Sequence, residues 1–491
     1  MSTPEAGSDR GSAIRKSLAW LTFAQLVKHP WEFAIGVALA RLLTPNDFGL
    51  FALALVFYGL CQVLTTFGLL NVIVQRERVT PRYLDTAQSI SLILGLALFT
   101  AVFLLAGPIS ALARQPALRD LLRVLSGAFV VSSFVVVPAA ILSRGMRFHV
   151  VSGVEIASSI AYGLVSVSAA VAGYGVWSLI AGPIAAVTFN AIAFSIAAGR
   201  WPALAWDREA VRSIIRFGST LTAASVMNHM SRNLDYLLIG RLLGADVLGI
   251  YKRAYDLATL PKDKVMDVVA RVFLPSLTDI RADREAVKKL TLSKIKLVAY
   301  VCLPALLGLF AVSDVFIPVV YGEKWMSTVG PLRIMLLGGV GYVLTALFSV
   351  ILIAYEQRRA ILTLQAVYSA AVVVGVLVGY RFGLLGVSYG ILGAIVVYMV
   401  TVSGLACGKI DLGLNEFVSV FRLPLFLSSV MAACAFAVPT QVLGIEGSAT
   451  ILVAKTGVGV LVYVACVSFV RDPDVEAVKH GLLRRLRLRS A

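Results

Sequence analysis

Three short stretches place ionisable side chains inside otherwise apolar segments of this chain. The first holds Gln25, Lys28, His29 and Glu32. Lys28 and Glu32 are four positions apart, so on a helix they share a face and can pair. Pro30 lies between them, removes a backbone donor and is expected to interrupt and kink the helix. The second stretch holds Asn228, His229, Arg232, Asn233 and Asp235, of which Asn228, Arg232 and Asp235 follow the i, i+4, i+7 spacing of one helical stripe. The third continues with Lys252, Arg253, Asp256, Lys262, Asp263, Lys264 and Asp267, with Pro261 in its middle. Such a helix is amphipathic enough to line a wide aqueous vestibule.

Ionisable groups at membrane depth are costly and face a water-filled cavity or one another. Pairing within the structure, Lys28 with Glu32 or Arg232 with Asp235, accounts for any single residue about as well as a cavity does. It accounts less well for the whole set, because segments such as 86–109 and 449–470 contain almost no such groups. Lys28, Arg232, Arg253, Lys262 and Lys264 would give a cationic lining suited to an anionic head group such as a pyrophosphate. Glu32, Asp235 and Asp256 would orient those cations or hold a coupling cation, a proton or a sodium ion. The candidate substrate-binding residues are therefore Lys28, His29, Glu32, Asn228, Arg232, Asn233, Asp235, Arg253 and Asp256. No catalytic residue, metal site or cofactor is expected.

The elements that carry these residues follow from composition. Of 491 residues, 59% are hydrophobic and 14% charged, against about 45–50% and 25% in a soluble domain. A bilayer core of about 30 Å takes roughly 20 apolar residues per helix. Apolar length and polar breaks predict an all-α integral membrane protein of about 14 spans. They lie near 17–41, 48–73, 86–109, 119–142, 152–172, 175–198, 213–240, 246–272, 294–318, 328–354, 359–380, 384–407, 422–443 and 449–470.

The net charge of +17 does not point to nucleic acid, because Lys and Arg fall between apolar runs rather than in a basic-aromatic surface. They mark alternate connections, at Arg76/Arg78/Arg82, Arg144/Arg147, Arg208/Arg212/Arg216, Lys288/Lys289 and Arg358/Arg359. The positive-inside rule then sets both termini in the cytoplasm. The segment Met1 to Gly11 lacks the features of a signal peptide. The tail from Asp474 to Arg489 reads either as a basic helix on the anionic leaflet or as a solvated tail. Cys61, Cys302, Cys407, Cys434 and Cys466 lie far apart in or beside apolar runs and read as small buried hydrophobes.

The chain also repeats itself. Arg41-Leu42-Leu43 followed by Phe48-Gly49-Leu50-Phe51 matches Arg241-Leu242-Leu243 followed by Leu248-Gly249-Ile250-Tyr251, 200 positions on, and the same offset carries His29 onto His229. Weaker echoes near an offset of 210 pair Ile141-Leu142 with Ile351-Leu352 and Gly175-Val176 with Gly386-Val387. Six helices separate the copies, so both enter the membrane in the same sense, a parallel repeat. The expected layout is a tail over 1–16, an N-lobe over 17–198, a linker over 199–212 and a C-lobe over 213–407. Two further helices over 422–470 and a basic tail over 471–491 follow. Two six-helix lobes facing a central cavity imply alternating access.

No Walker A loop, GxSxG or HExxH motif is present. The stretches Ala40-Arg41-Leu42-Leu43-Thr44-Pro45-Asn46-Asp47-Phe48-Gly49-Leu50 and Asn233 to Gly244, with Tyr321-Gly322-Glu323-Lys324-Trp325 and Pro331-Leu332-Arg333, are informative here. Together they resemble the Wzx-type polysaccharide transporters of the multidrug/oligosaccharidyl-lipid/polysaccharide exporter superfamily. The resemblance covers about Ser12 to Val470. It implies two six-helix bundles around a cavity, two added C-terminal helices, and flipping of undecaprenyl-pyrophosphate-linked oligosaccharides. The glycan would serve exopolysaccharide, capsule or O-antigen, and the site would be the bacterial inner membrane. Asn233, Asp235 and Arg241 match the family motif. The partners expected are the lipid-linked oligosaccharide, membrane lipids, a coupling ion, and a polysaccharide polymerase or glycosyltransferases of the pathway, with no nucleic acid. The alternatives are a drug/cation antiporter of the same superfamily or an integral-membrane polymerase or ligase. Cationic drugs would want a more acidic site, and a polymerase or ligase would want a larger external loop.

Overall fold

A computed structural model of the protein describes residues 27–66, 68–76, 79–201, 203–438 and 447–470, together with residues 20, 25 and 476. At 263–272 and a few other helical positions the description covers the backbone alone. The N-terminal stretch before residue 20 and the basic tail, apart from residue 476, lie outside the described residues. So do the side chains of Asp263, Lys264 and Asp267.

The described residues are helical throughout, without a strand. In chain order they form α1 (27–42), α2 (Pro45–Thr66), α3 (Leu69–Gln75), α4 (Pro81–Ala113), α5 (Leu118–Arg144), α6 (Phe148–Val171), α7 (Val176–Ala198) and α8 (Arg208–Leu242). Then come α9 (Ala245–Ile280), α10 (Arg284–Val320), α11 (Val329–Ala354), α12 (Arg358–Gly379), α13 (Gly383–Lys409), α14 (Leu414–Phe436) and α15 (Ser448–Ser468). Ten stretches among the described residues are long and apolar enough to cross a membrane, and one of them, Arg358–Lys409, contains both α12 and α13. At 35 and 36 residues α8 and α9 are long enough too, but they carry the charged groups noted above.

The helices depart from the sequence expectation at three places. The span expected over 48–73 is broken. After Thr65 and Thr66 turn their hydroxyls onto the Cys61 and Val63 carbonyls, Gly68 takes φ 63° and α3 starts afresh. Only glycine adopts that backbone without cost. Pro30 does not interrupt α1, which is helical from 27 to 42, and α9 likewise runs through Pro261. The last pair also shifts. The helix expected over 422–443 is α14, Leu414–Phe436. Its polar first turn is fixed by Glu416, which accepts from the Gly413 N–H at 3.1 Å and pairs with Lys288 at 2.7 Å. The stretch 439–446 lies outside the described residues.

The turn before α2, within the family-like stretch, has a plain structural reading. Asp47 accepts from the Thr44 N–H at 2.9 Å and the Thr44 hydroxyl at 2.7 Å, while Thr44 accepts from the Asp47 N–H at 3.3 Å. This is a reciprocal helix cap with proline at the first helical position.

The repeat is visible in backbone hydrogen bonds. Leu43 N–H to Leu39 and Leu243 N–H to Ile239 are both 2.8 Å, at the 200-residue offset. At an offset of 210, α5 and α11 end in the same turn. Gly145 and Tyr355 donate to Ile141 and Ile351, Arg147 and Gln357 donate to Leu142 and Leu352, and Met146 and Glu356 take φ 52° and 57°. The echo of Gly175 is displaced from Gly386 to Gly383. Gly175 and Gly383 share a positive φ, 52° and 68°, at the starts of α7 and α13. Gly386 instead lies inside α13, where an added Cβ would meet the Gly379 carbonyl oxygen at 2.3 Å.

The chain forms two compact units, Met1–Gly249 and Ile250–Ala491. In the first, α4 packs on α5, α6 on α7, α5 on α7, and α2 on α5 and α8. In the second, α10 packs on α11, α14 and α15, and α13 on α11 and α12. Lipid offers no hydrophobic gain for helix association, so close packing through small residues must supply it. The tightest approach lies within the first unit, where the first turn of α9 meets the first turn of α2. A Cβ on Gly49 would sit 1.7 Å from the Ala245 carbonyl oxygen, and one on Gly249 would sit 1.9 Å from the Pro45 carbonyl oxygen. The contact is reciprocal under the 200-residue offset.

Gly49→Ala or Gly249→Ala is therefore expected to destabilise the protein by about 1–3 kcal/mol or more through backbone displacement. Gly404→Ala, which meets nothing within 4 Å, is the control. Thermal unfolding in detergent and membrane abundance measure this, and wild-type behaviour of both variants would contradict the contact.

Candidate functional site

On α1, one face is used for packing. The Trp31 indole donates to the Ser159 carbonyl at 3.0 Å, and Gly163 leaves space for Trp31 and Ile35. Beside that face Lys28 Nζ lies 3.8 Å from Glu32 Oε1, and His29 Nδ1 lies 3.4 Å from Glu32 Oε2. The carboxylate is thus shared by two neighbours, with Glu32 46% exposed against 26% and 28% for Lys28 and His29. The three expected α1 residues form one cluster.

On α8 the expected residues divide by job. His229 is turned onto α2, with Nε2 2.9 Å from the Val56 carbonyl oxygen and its ring filling the space that a Cβ on Gly59 would need. Asn233 bonds back along its own helix, donating to the His229 carbonyl at 2.8 Å. Asp235 is 6% exposed. Arg232 and Asn228 are exposed, and Arg232 Nε donates to Asn228 Oδ1 at 3.3 Å. The stripe read from the spacing therefore holds an exposed pair and one buried carboxylate. Arg241, the motif arginine, donates to the Leu112 carbonyl at the end of α4. A cation is well placed among the unpaired carbonyls of a helix C-terminus.

On α9, in the second unit, Lys252 Nζ holds Asp256 through both carboxylate oxygens at 2.9 and 3.0 Å. Arg253 points elsewhere. Its guanidinium lies over the rings of Tyr321 and Trp325, 4.9 and 5.4 Å from their centroids, a cation–π arrangement that uses the charge within the fold. Lys262 sits 5.6 Å from the Tyr342 ring centroid. The Pro331-Leu332-Arg333 stretch has a similar internal use, since Arg333 pairs with Asp314 at 3.2 Å and donates to Ser313 at 2.8 Å.

Three groupings were not legible in the spacing: the Tyr321/Trp325 bracket, the Arg333–Asp314 pair, and the Arg200–Asp85 pair at 2.5 Å. In each, the partners are too far apart in the chain for a helical period to link them. Chemically, Arg232 with Asn228 on α8, and Glu32 beside the half-buried Lys28 and His29 on α1, are exposed polar groups among the expected site residues. A guanidinium held open beside an amide can donate charge-assisted hydrogen bonds to an anion.

Long apolar helices with a few polar-faced ones among them define a multi-pass α-helical membrane protein. Its family is that of the polysaccharide biosynthesis proteins, to which the chain belongs, the family model matching residues 38–330. The lipopolysaccharide biosynthesis protein WzxC of Escherichia coli strain K12 is 31% identical over 62% of this chain and 62% of its own length. The teichuronic acid biosynthesis protein TuaB of Bacillus subtilis strain 168 is 27% identical over 65% and 71%. The chain thus matches a little under two thirds of WzxC. A solved structure of the lipid II flippase MurJ in an inward closed conformation superposes with a TM-score of 0.76 over 91% of this chain and 97% of that one, at 14% identity. The fold is shared, and the expected Wzx-type relationship is borne out.

The geometry separates scaffold from site. His229→Ala, which removes the contact to Val56, is expected to cost about 1–3 kcal/mol of stability. Arg232→Ala should change it by no more than about 0.5 kcal/mol. Thermal unfolding of the purified variants checks the split, and equal losses in both would contradict it.

Proposed function

We propose that the protein is a flippase of polysaccharide biosynthesis. It carries undecaprenyl-pyrophosphate-linked oligosaccharide repeat units from the cytoplasmic to the outer leaflet of the inner membrane by alternating access. The observation that carries this reading is the exposed Arg232–Asn228 pair on α8. An arginine at membrane depth is costly, so an exposed one calls for water or an anionic ligand. The clustered Glu32, with Lys28 and His29, supplies a second polar face on α1. These groups are assigned to the head group and to a coupling cation, a proton or a sodium ion.

Family membership supports a substrate of polysaccharide biosynthesis, and the shared fold supports a lipid-linked one. In this reading the chain spans the membrane 14 times with both ends cytoplasmic. The two lobes are 17–198 and 213–407, and a polymerase or glycosyltransferases of the same pathway work beside them. Outward movement of an anion also gains about 2.3 kcal/mol per charge per 100 mV with the cytoplasm negative, so no nucleotide hydrolysis is required.

Deleting the gene should make undecaprenyl-linked repeat units build up on the cytoplasmic side, measured by lipid extraction and mass spectrometry. Arg232→Ala or Asp235→Ala should abolish surface glycan while the protein stays in the membrane. Normal glycan in both variants would overturn the site assignment, and absence of the build-up would overturn the flippase reading.

A further inference from the structure

The start of α8 presents a cationic groove that the intramembrane site does not use. Arg208, Arg212 and Arg216 recur every four residues, so they rise along one arc of the helix over roughly 12 Å. Together with Trp206, Val211 and Ile215 they line a groove of about 610 Å³. All three arginines are exposed, Trp206 is 55% and Ile215 50% exposed, and among the described residues no carboxylate pairs with any of the three.

The groove is held rigidly from behind. Ala210 and Ile214, on the opposite face, are buried with Leu69, Ile73, Tyr83 and Val136. Arg76 donates to Ser213 at 2.8 Å, and Asp207 caps the helix by accepting from the Glu209 and Ala210 N–H groups. The segment before it is tied to α4, with Ser89 and Ala205 bonded both ways at 2.8 and 3.1 Å and Arg200 on Asp85 at 2.5 Å. A wall of guanidinium groups over apolar side chains on a pinned segment is a built surface, distinct from a free basic tail.

We propose that this groove captures the diphosphate head of a prenyl-linked lipid at the cytoplasmic face, a step that rests on the flippase reading. Arg208, Arg212 and Arg216 hold the phosphates, and Trp206, Val211 and Ile215 hold the first isoprene units. Charge complementarity selects the occupant: three guanidinium groups match the multiple charges of a diphosphate, whereas a bulk anionic phospholipid brings one phosphate. The single apolar wall suits one chain rather than two.

The test uses the full-length protein in phosphatidylcholine nanodiscs with radiolabelled farnesyl diphosphate as the probe. Saturable binding is expected to persist in Arg232→Ala, which removes the proposed intramembrane contact. In that background, changing Arg208, Arg212 and Arg216 together to Ala should weaken binding about tenfold, while changing all three to Lys should retain most of it. The Lys variant guards against loss of fold. Inorganic pyrophosphate should compete, and phosphatidylglycerol should not. Affinity within about twofold of the parent after the triple Ala change would overturn the proposal, as would competition by phosphatidylglycerol as strong as by the probe itself. Binding is read without transport, so failure here leaves the build-up of lipid-linked units as the separate test of the flippase reading.

Discussion

Gly49 and Gly249 form the tightest backbone approach in the first unit, and the ends of α1 and α8 depend on it. Each occupies the first turn of its helix, each would drive a Cβ into the backbone of the other's first turn, and the two are related by the repeat itself. A side chain at either position would push apart the starts of α2 and α9. Those starts are also where α1 and α8 end, so the same contact fixes the ends of the first helix of each repeat. In lipid, where apolar burial between helices gains little, such backbone approaches carry association. The reciprocal cap of Thr44 and Asp47 then sets where α2 begins.

Within that frame the charged groups sort into three kinds. Some serve packing: Arg241 on the α4 carboxyl end, Arg253 over two aromatic rings, Arg333 on Asp314. Others close onto a neighbour on the same helix, as Lys252 does on Asp256 and Lys28 and His29 do on Glu32. Arg232 stays open, held by a neutral amide and exposed. An exposed guanidinium held by an amide concentrates positive charge at that place on α8. The arginines at the start of α8 add a second concentration, on a segment pinned to α4.

Much of this was legible in the sequence, for physical reasons. Apolar length located the helices because runs of about 20 apolar residues cross lipid only as helices, which satisfy their own backbone. The repeat showed in Arg41 and Arg241 because a glycine pair and its flanking turn tolerate little change. Other features were hidden. Gly68 breaks a helix inside an apolar run that gives no sign of it, and Pro30 fails to break α1 because helix continuity survives one missing donor. The polar stripe on α8 predicted one shared face, yet Asp235 is buried while Arg232 is exposed. Spacing fixes the angle at which a side chain leaves the helix, not what packs there. Arg253 was read as cavity lining because Tyr321 and Trp325 lie far along the chain, and no local period could reveal them.

The central claim is that the protein moves a lipid-linked diphosphate sugar across the bilayer, and reconstitution tests it most directly. Proteoliposomes carrying a fluorescent polyprenyl-diphosphate-linked oligosaccharide in both leaflets would be exposed to an impermeant quencher. With the wild-type protein, nearly all of the fluorescence should be lost, because lipid from the inner leaflet reaches the outer one. Loss of only the outer-leaflet share, the same as in protein-free liposomes, would contradict the account.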